Sequence, residues 1–115
     1  MANTFKVVTK AGVTSADVIY TVAGSTTTVI LGLVLGNTTS SQTTATVTLE
    51  SNTGSRAGAN NENNQDVELI TNAPIPAGSS LELLAGNKVV METTDVLKVT
   101  GSGATDVVLS IMEIT

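Results

Sequence analysis

The sequence predicts an all-β fold: a single-domain antiparallel β-sandwich, jelly-roll-like, with eight or nine strands. The 115 residues include 20 threonines and 15 valines, and branched Cβ atoms fit a pleated strand but lose rotamer freedom in a helix. Short apolar runs alternate with Gly, Asn and Pro about every ten residues, which leaves no room for the helical crossovers of a parallel sheet. A chain of this length is expected to form one domain over residues 1–115.

The predicted strands are the apolar or alternating runs between turn residues. In chain order they are Thr4–Thr9, Asp17–Val22, Thr27–Leu35, Thr43–Glu50, Asp66–Thr71, Leu81–Leu84, Lys88–Met91, Asp95–Thr100 and Asp106–Ile114. Three connections carry specific turn chemistry. Ala23-Gly24-Ser25 is typical of a tight hairpin, Pro74-Ile75-Pro76-Ala77-Gly78 of a rigid corner without ladder donors, and Gly101-Ser102-Gly103 of a turn.

Alternation within the early runs predicts which side chains share a face of their strand. Val18, Tyr20 and Val22 share one face at period two. Thr27–Leu35 is the most hydrophobic run. Its odd positions from Val29 onward are bulky, and its even positions alternate branched residues with glycine, as expected where another backbone approaches. We therefore expect Thr27–Leu35 to be a central strand.

Two later runs differ in the predicted solvent exposure of their outward face. Thr43–Glu50 places Ala45, Val47 and Leu49 inward and threonines outward, the alternation of a strand with one solvated face. Asp106–Ile114 is apolar on both faces near its end. It is therefore predicted to be central or to lie at a subunit contact.

Residues Ser51 to Gln65 form a polar inter-strand loop (51–65) with no apolar side chain larger than Ala. Connections of this length in small domains are usually functional or disordered. Two interpretations stay open: a solvated hairpin tip, or a loop ordered by contact with another subunit. Arg56 is the only arginine in the chain, and arginine is enriched among interface anchors. Arg56 is therefore the candidate for an intersubunit contact.

The composition excludes most enzyme chemistry. The chain has no Cys and no His, which removes thiol catalysis, the commonest metal ligand and every Ser-His nucleophile. Net charge −5 and 2% aromatic residues disfavour nucleic acid, which attracts basic surfaces and stacking platforms. No secretory signal is apparent, and the longest apolar stretch, Val29–Leu35, is too short to cross a membrane. We expect a non-enzymatic protein without catalytic, cofactor-binding or metal-ligating residues.

Three weak candidates for chemistry have simpler explanations. Asp66 and Glu68 would share a strand face, as paired acids of a glycosidase do, but a sugar site would also need aromatic platforms. Asn60–Asp66 is rich in oxygen ligands but lacks the regular acidic offsets of a calcium loop. Gly101-Ser102-Gly103 begins like a dinucleotide fingerprint, yet Asp106 stands where the third glycine belongs.

A small sandwich with few charges and strands that are apolar on both faces exposes more apolar surface than a monomer usually shows. Symmetric association with identical copies would cover that surface. We therefore expect a homo-oligomer.

Four segments resemble a known class of proteins over nearly the whole chain. They are the opening Met1–Lys6, Ile19–Gly32, the corner Asn72–Leu81 and the ending Asp106–Thr115. These segments are similar to small virion structural proteins of marine tailed bacteriophages, especially those that infect cyanobacteria. The shared motifs are turn and strand motifs without catalytic signatures.

The resemblance implies a protein of the virion: an accessory subunit that decorates or cements the capsid or the head–tail (neck or tail) region through protein–protein contacts. Its partners would be other virion proteins and identical copies, with a trimer as the first expectation. Sheet edges and hydrophobic patches would make the contacts. The alternative is a receptor- or glycan-binding module of a phage fibre or tail tip.

Overall fold

The computed structural model describes residues 2–52, 65–84 and 87–115, which form nine β-strands and no helix. The strands are β1 (Asn3–Val13), β2 (Ala16–Thr21), β3 (Thr27–Asn37), β4 (Thr43–Ser51), β5 (Gln65–Ile75), β6 (Ser80–Leu83), β7 (Val89–Met91), β8 (Val96–Gly101) and β9 (Thr105–Ile114). The all-β prediction and the order of its nine runs are confirmed. Five of the observed strands extend the predicted runs by one to four residues at an end, because pairing continues past the turn residues taken as boundaries. In β1 and β5 it reaches the buried Val13 and Ile75.

The strands form two antiparallel sheets. One has the order β1-β9-β3-β6, with β7 also paired to β3, and the other has the order β2-β8-β4-β5. Strands pair from the two ends of the chain inward, β1 with β9, β2 with β8, β3 with β6 and β7, and β4 with β5. This nesting resembles one long hairpin rolled into two sheets and is compatible with the predicted jelly roll.

The core lies between the two sheets. Alternate side chains of each strand point into it because successive Cβ atoms face opposite sides of a pleated strand. Its largest fully buried side chains are Ile30, Leu33, Leu35, Ile75, Met91, Leu97, Leu109, Ile111, Val13, Val22, Val47 and Val99. The predicted central strands are confirmed, because β3 lies between β9 and the β6/β7 pair while β9 lies between β1 and β3.

The prediction that Val18, Tyr20 and Val22 share one face is wrong at Val18. Val18 pairs with Lys98, but Tyr20 pairs with Leu97, so the register shifts across Ile19. This extra residue on one strand turns Ile19 into the core and leaves Val18 exposed, as a β-bulge does. Strict period-two alternation assigns the residues on one side of such a bulge to the wrong face of the strand.

A second register shift corrects the prediction for β3. Ile30 pairs with Ile111 and Gly32 with Ser110, which leaves Leu31 as the additional residue. Ile30 and Leu33 are therefore both buried, whereas strict alternation would have put them on opposite faces.

The predicted hairpin at Ala23–Ser25 is also wrong, because β2 and β3 belong to different sheets and the connection crosses between them. Ser25 has a φ of 56°, a conformation that suits a sharp change of direction. The proline-rich corner is confirmed: Pro74 lies in edge strand β5, and Gly78 has a φ of 68°. There the chain passes from one sheet to the other.

Candidate interaction surface

One row across the outward side of the β1-β9-β3 sheet is apolar over four strands. Directly paired residues lie on the same face of a sheet. Phe5 is paired with Met112, Met112 with Val29, and Val29 with Val90, which makes one continuous row over β1, β9, β3 and β7. A parallel row runs from Thr9 through Val108 and Val34 to Glu82.

We call this surface the outer apolar face. It comprises the side chains of Phe5, Val7, Val29, Val34, Val90, Val108, Met112 and Ile114.

Several of these side chains are unusually exposed. The exposed fraction is 71% for Phe5, 64% for Val7, 55% for Val90 and 40% for Val108. Single exposed apolar residues are ordinary on a protein surface, but contiguous apolar patches of several hundred Å² mark interaction sites. The four strands of the face make such a patch, so this face is the candidate functional site.

The outward side of the other sheet is different in kind. Its central strands present threonines, with Thr48 and Thr100 at outward positions, and a charged pair. Lys98 Nζ lies 3.0 Å from Glu50 Oε2, and this hydrogen bond raises the pKa of Lys98 above its ordinary value. A Thr-rich, charged sheet face is typical of a solvated surface. One exposed valine, Val18, also lies on this side, paired with Lys98, against four exposed large apolar side chains on the outer apolar face.

Edge strands are the usual alternative route to association, and those of the β1-β9-β3 sheet and edge strand β5 are protected here. Edge strand β1 carries Lys6 and Lys10 on its core-facing side, where they pair with Glu113 at 2.8 Å and Asp17 at 3.5 Å. Edge strand β5 contains Pro74, and β6 and β7 are only four and three residues long. Inward charges, proline and short strands all oppose edge-to-edge pairing. Of the two predicted kinds of contact, the faces are therefore better suited than the edges.

A polar cluster joins the two sheets beside β1. The Tyr20 hydroxyl of β2 lies 2.5 Å from Glu113 Oε2 on β9 and 2.7 Å from Thr28 Oγ1 on β3. A tyrosine hydroxyl has one proton; since it is donated to Glu113, Thr28 donates to Tyr20. Burial and the hydrogen bond with Glu113 raise the pKa of Tyr20 to about 12. Hydrogen bonds from Lys6 and Tyr20 hold the pKa of Glu113 below its ordinary value.

This cluster stabilises the sandwich and keeps both groups in their ordinary charge states at neutral pH. Residues 20 and 113 are far apart in sequence, so no local pattern pointed to the contact. The folded protein binds the phenolic proton more tightly than the unfolded chain does. Tyr20 therefore stabilises the fold fully below about pH 10, and this contribution is lost as the pH rises from 10 toward 12.

The pKa of Tyr20 can be measured without overlapping signals, since Tyr20 is the only tyrosine and the chain has no Trp. Ultraviolet titration of phenolate formation should give a midpoint near 12 in the folded protein. Glu113→Gln should lower the midpoint part of the way, because burial of the ring still disfavours the phenolate. A wild-type midpoint at the ordinary value of 10.0 would contradict the contact.

The weak candidates for chemistry gain little from the structure. Asp66 and Glu68 do share the outward face of β5, opposite Glu50 and Thr48, and the Glu68 carboxylate accepts a hydrogen bond from Thr71. The described part of the chain holds no group of three or more acidic, His or Cys side chains suited to a metal ion. Ser102, in the glycine turn, exchanges hydrogen bonds with the backbone of Thr44.

Most of the polar inter-strand loop (51–65) lies outside the described residues, so both interpretations of it stay predictions. Two further predicted features fall there. Arg56 is one of them, so its proposed intersubunit contact stays a prediction. The other is the Asn60–Asp66 segment, of which only Gln65 and Asp66 are described. Among the described residues there is also no helix with the length and hydropathy needed to cross a membrane.

Comparisons with models of known protein families and with curated proteins find no match. One solved structure is similar over 99% of this chain and 87% of its own length. The words attached to that structure are "Bacillus endospore appendages form a novel family of disulfide-linked pili". Its sequence identity with this chain is 14% and the TM-score is 0.49.

Proposed function

We propose that this protein is a non-enzymatic structural subunit of a phage virion, which decorates or cements the capsid or the head–tail (neck or tail) region. The observation that carries the proposal is the outer apolar face, an exposed hydrophobic surface on a sandwich whose opposite face carries mainly threonines and charged side chains. The segments similar to phage virion proteins support the particle as the setting. Identical copies and other virion proteins are the partners.

The mechanism is binding by shape and by burial of apolar area. Each exposed Phe or Val that becomes buried at a contact contributes roughly 1.5–3 kcal/mol before the costs of association are subtracted. A subunit that binds only the assembled particle stabilises that state by mass action. A sandwich with a fixed register can present this surface to a partner without any catalytic step. Protected edge strands oppose uncontrolled strand pairing between copies.

The proposal is tested on intact particles. Purified virions should contain this chain, and electron microscopy should place its density on the shell or at the neck or tail. A particle whose only matching density lies at a fibre tip would favour the receptor- or glycan-binding alternative. A chain that is absent from purified virions would overturn the proposal.

A matched pair of variants tests whether incorporation into particles depends on the outer apolar face. Val108 and Thr100 are both exposed outward residues in the second strand from the edge of their sheets. Val108→Lys should reduce incorporation into particles at least about 30-fold, because a buried, unpaired charge costs 2 kcal/mol or more at an interface. Thr100→Lys, on the polar face, should leave incorporation unchanged. Equal incorporation of both variants, measured by quantitative mass spectrometry of virions, would contradict the role of the face.

A further inference from the structure

We infer that a second copy of this chain covers the outer apolar face, in a two-fold contact in which the β1-β9-β3 sheets pack face to face with their strands antiparallel. The inference rests on the proposed function because it names the partner at the same surface. It also specifies symmetry: a two-fold contact of one surface with itself gives a dimer, where the sequence alone favoured a trimer.

The area of the face matches the needs of a dimer. Strand β9 has ten residues, which at about 3.4 Å per residue span about 34 Å. Four strand positions about 4.8 Å apart, from β1 to the β6/β7 pair, span about 19 Å. The product is roughly 600 Å² per copy and roughly 1,200 Å² for two copies, at the lower end of specific protein interfaces. A self-contact of the whole face is therefore large enough for a weak, reversible dimer.

The charges of the face select the orientation of the second copy. Glu82 is paired with Val34, and Asp106 with Gly36, so both acids lie toward one end of the sheet. At the other end the paired outward residues described by the structure, Asn3, Ile114 and Thr27, carry no charged side chain. Copies with parallel strands would bring the two acidic ends together in a chain of net charge −5. Antiparallel strands place each acidic end over the uncharged end of the other copy, which removes this repulsion.

Side-chain size agrees with the same orientation. The middle of the face is the row of Val7, Ser110 and Gly32, in which two of three residues are small. A two-fold axis along this row exchanges the rows on either side of it. In β1 and β9 the large Phe5 and Met112 then face the smaller Thr9 and Val108 of the other copy. In β3 Val29 faces Val34, and at the rim of the contact Val90 faces Glu82. Large side chains opposite small ones are what interdigitating sheets about 10 Å apart require.

Sedimentation velocity over a wide concentration range tests the contact on the full chain. The wild type and Thr100→Lys should show the same reversible equilibrium between monomer and dimer. Val108→Lys should raise the dissociation constant at least about 30-fold. Thermal unfolding shows whether each variant is folded. If Val108→Lys is not, Phe5→Lys at the exposed edge of the same face replaces it.

Cross-linking supplies a second measurement that reports geometry. Because the chain has no cysteine, a single introduced thiol is the only target of a short bis-maleimide. Ser110→Cys lies in the row on the proposed axis and should be captured as a covalent dimer. Thr48→Cys, equally half-buried on the outward side of the other sheet, should stay monomeric under the same conditions. Equal capture of both variants would overturn the two-fold contact.

The remaining outcomes separate the inference from the proposed function. A wild type that is monomeric at every concentration, that is trimeric, or whose dimer survives Val108→Lys overturns the inference. If the same protein is found on the shell or neck of virions, the proposed function stands without it. If the dimer depends on Val108 but the chain is absent from virions, the inference stands and the proposed function is overturned.

Discussion

Gly101→Ala is expected to destabilise the fold by about 2–4 kcal/mol, as overpacking against rigid neighbours does. A Cβ atom at this position would lie 2.6 Å from the carbonyl oxygen of Val13, 2.8 Å from Thr105 Oγ1 and 3.0 Å from the carbonyl oxygen of Gly103. Two of these three atoms are backbone, so no side-chain rotation relieves the contact. Gly101 ends β8 where the end of β1 approaches, and the added methyl group has to push two strands apart.

The measurement is the midpoint of urea unfolding at constant slope. Gly24→Ala is the matched control, because a Cβ there meets nothing within 4 Å and the backbone does not have a positive φ. It should change the free energy of unfolding by less than about 0.5 kcal/mol. Equal stability of the two variants would show that β1 and β8 are not this close.

Asp95→Asn is expected to cost about 2–3 kcal/mol, because a buried backbone donor loses its acceptor. Asp95 is fully buried. Its Oδ1 accepts a hydrogen bond from the backbone N–H of Asn52 at 2.8 Å, and its Oδ2 accepts one from the N–H of Glu92 at 3.0 Å. An amide keeps one acceptor oxygen and turns an NH₂ group toward the other donor. The carboxylate thus joins the end of β4 to the turn before β8.

Asp106→Asn is the control, since Asp106 is exposed and accepts one hydrogen bond, from the Gly12 N–H at 2.9 Å. Water replaces a lost partner at an exposed site, so this variant should cost less than about 1 kcal/mol. The comparison is made by urea unfolding at neutral pH. A loss in Asp95→Asn no larger than in Asp106→Asn would contradict the proposed role of the buried carboxylate.

The strands themselves were predictable because their signals are local. Period-two patterns bounded by Gly, Asn and Pro located all nine, and they correctly made β3 and β9 central and gave β4 one wetter side. The errors in the predicted facing of side chains are at Ile19 and Leu31, where one extra residue shifts the register. Nothing in the local pattern marks either residue, because a β-bulge is decided by the strand opposite.

The candidate site was only half predictable. The apolar second face of β9 was visible in the sequence and indicated a subunit contact. The extent of the surface was not visible, because Phe5, Met112, Val29 and Val90 become neighbours only through the pairing of four strands. The interface residue chosen from composition, Arg56, lies outside the described residues and stays a prediction.

By itself, the sequence determined the all-β class, the nine strands and the absence of thiol and imidazole chemistry, since composition and short-range alternation are properties of the chain alone. The tertiary structure decided which strands share a sheet, which outward face is apolar, and that Tyr20 meets Glu113. Each of these depends on register between segments distant in sequence. A shift of one residue in that register would turn every side chain of a strand to the other face.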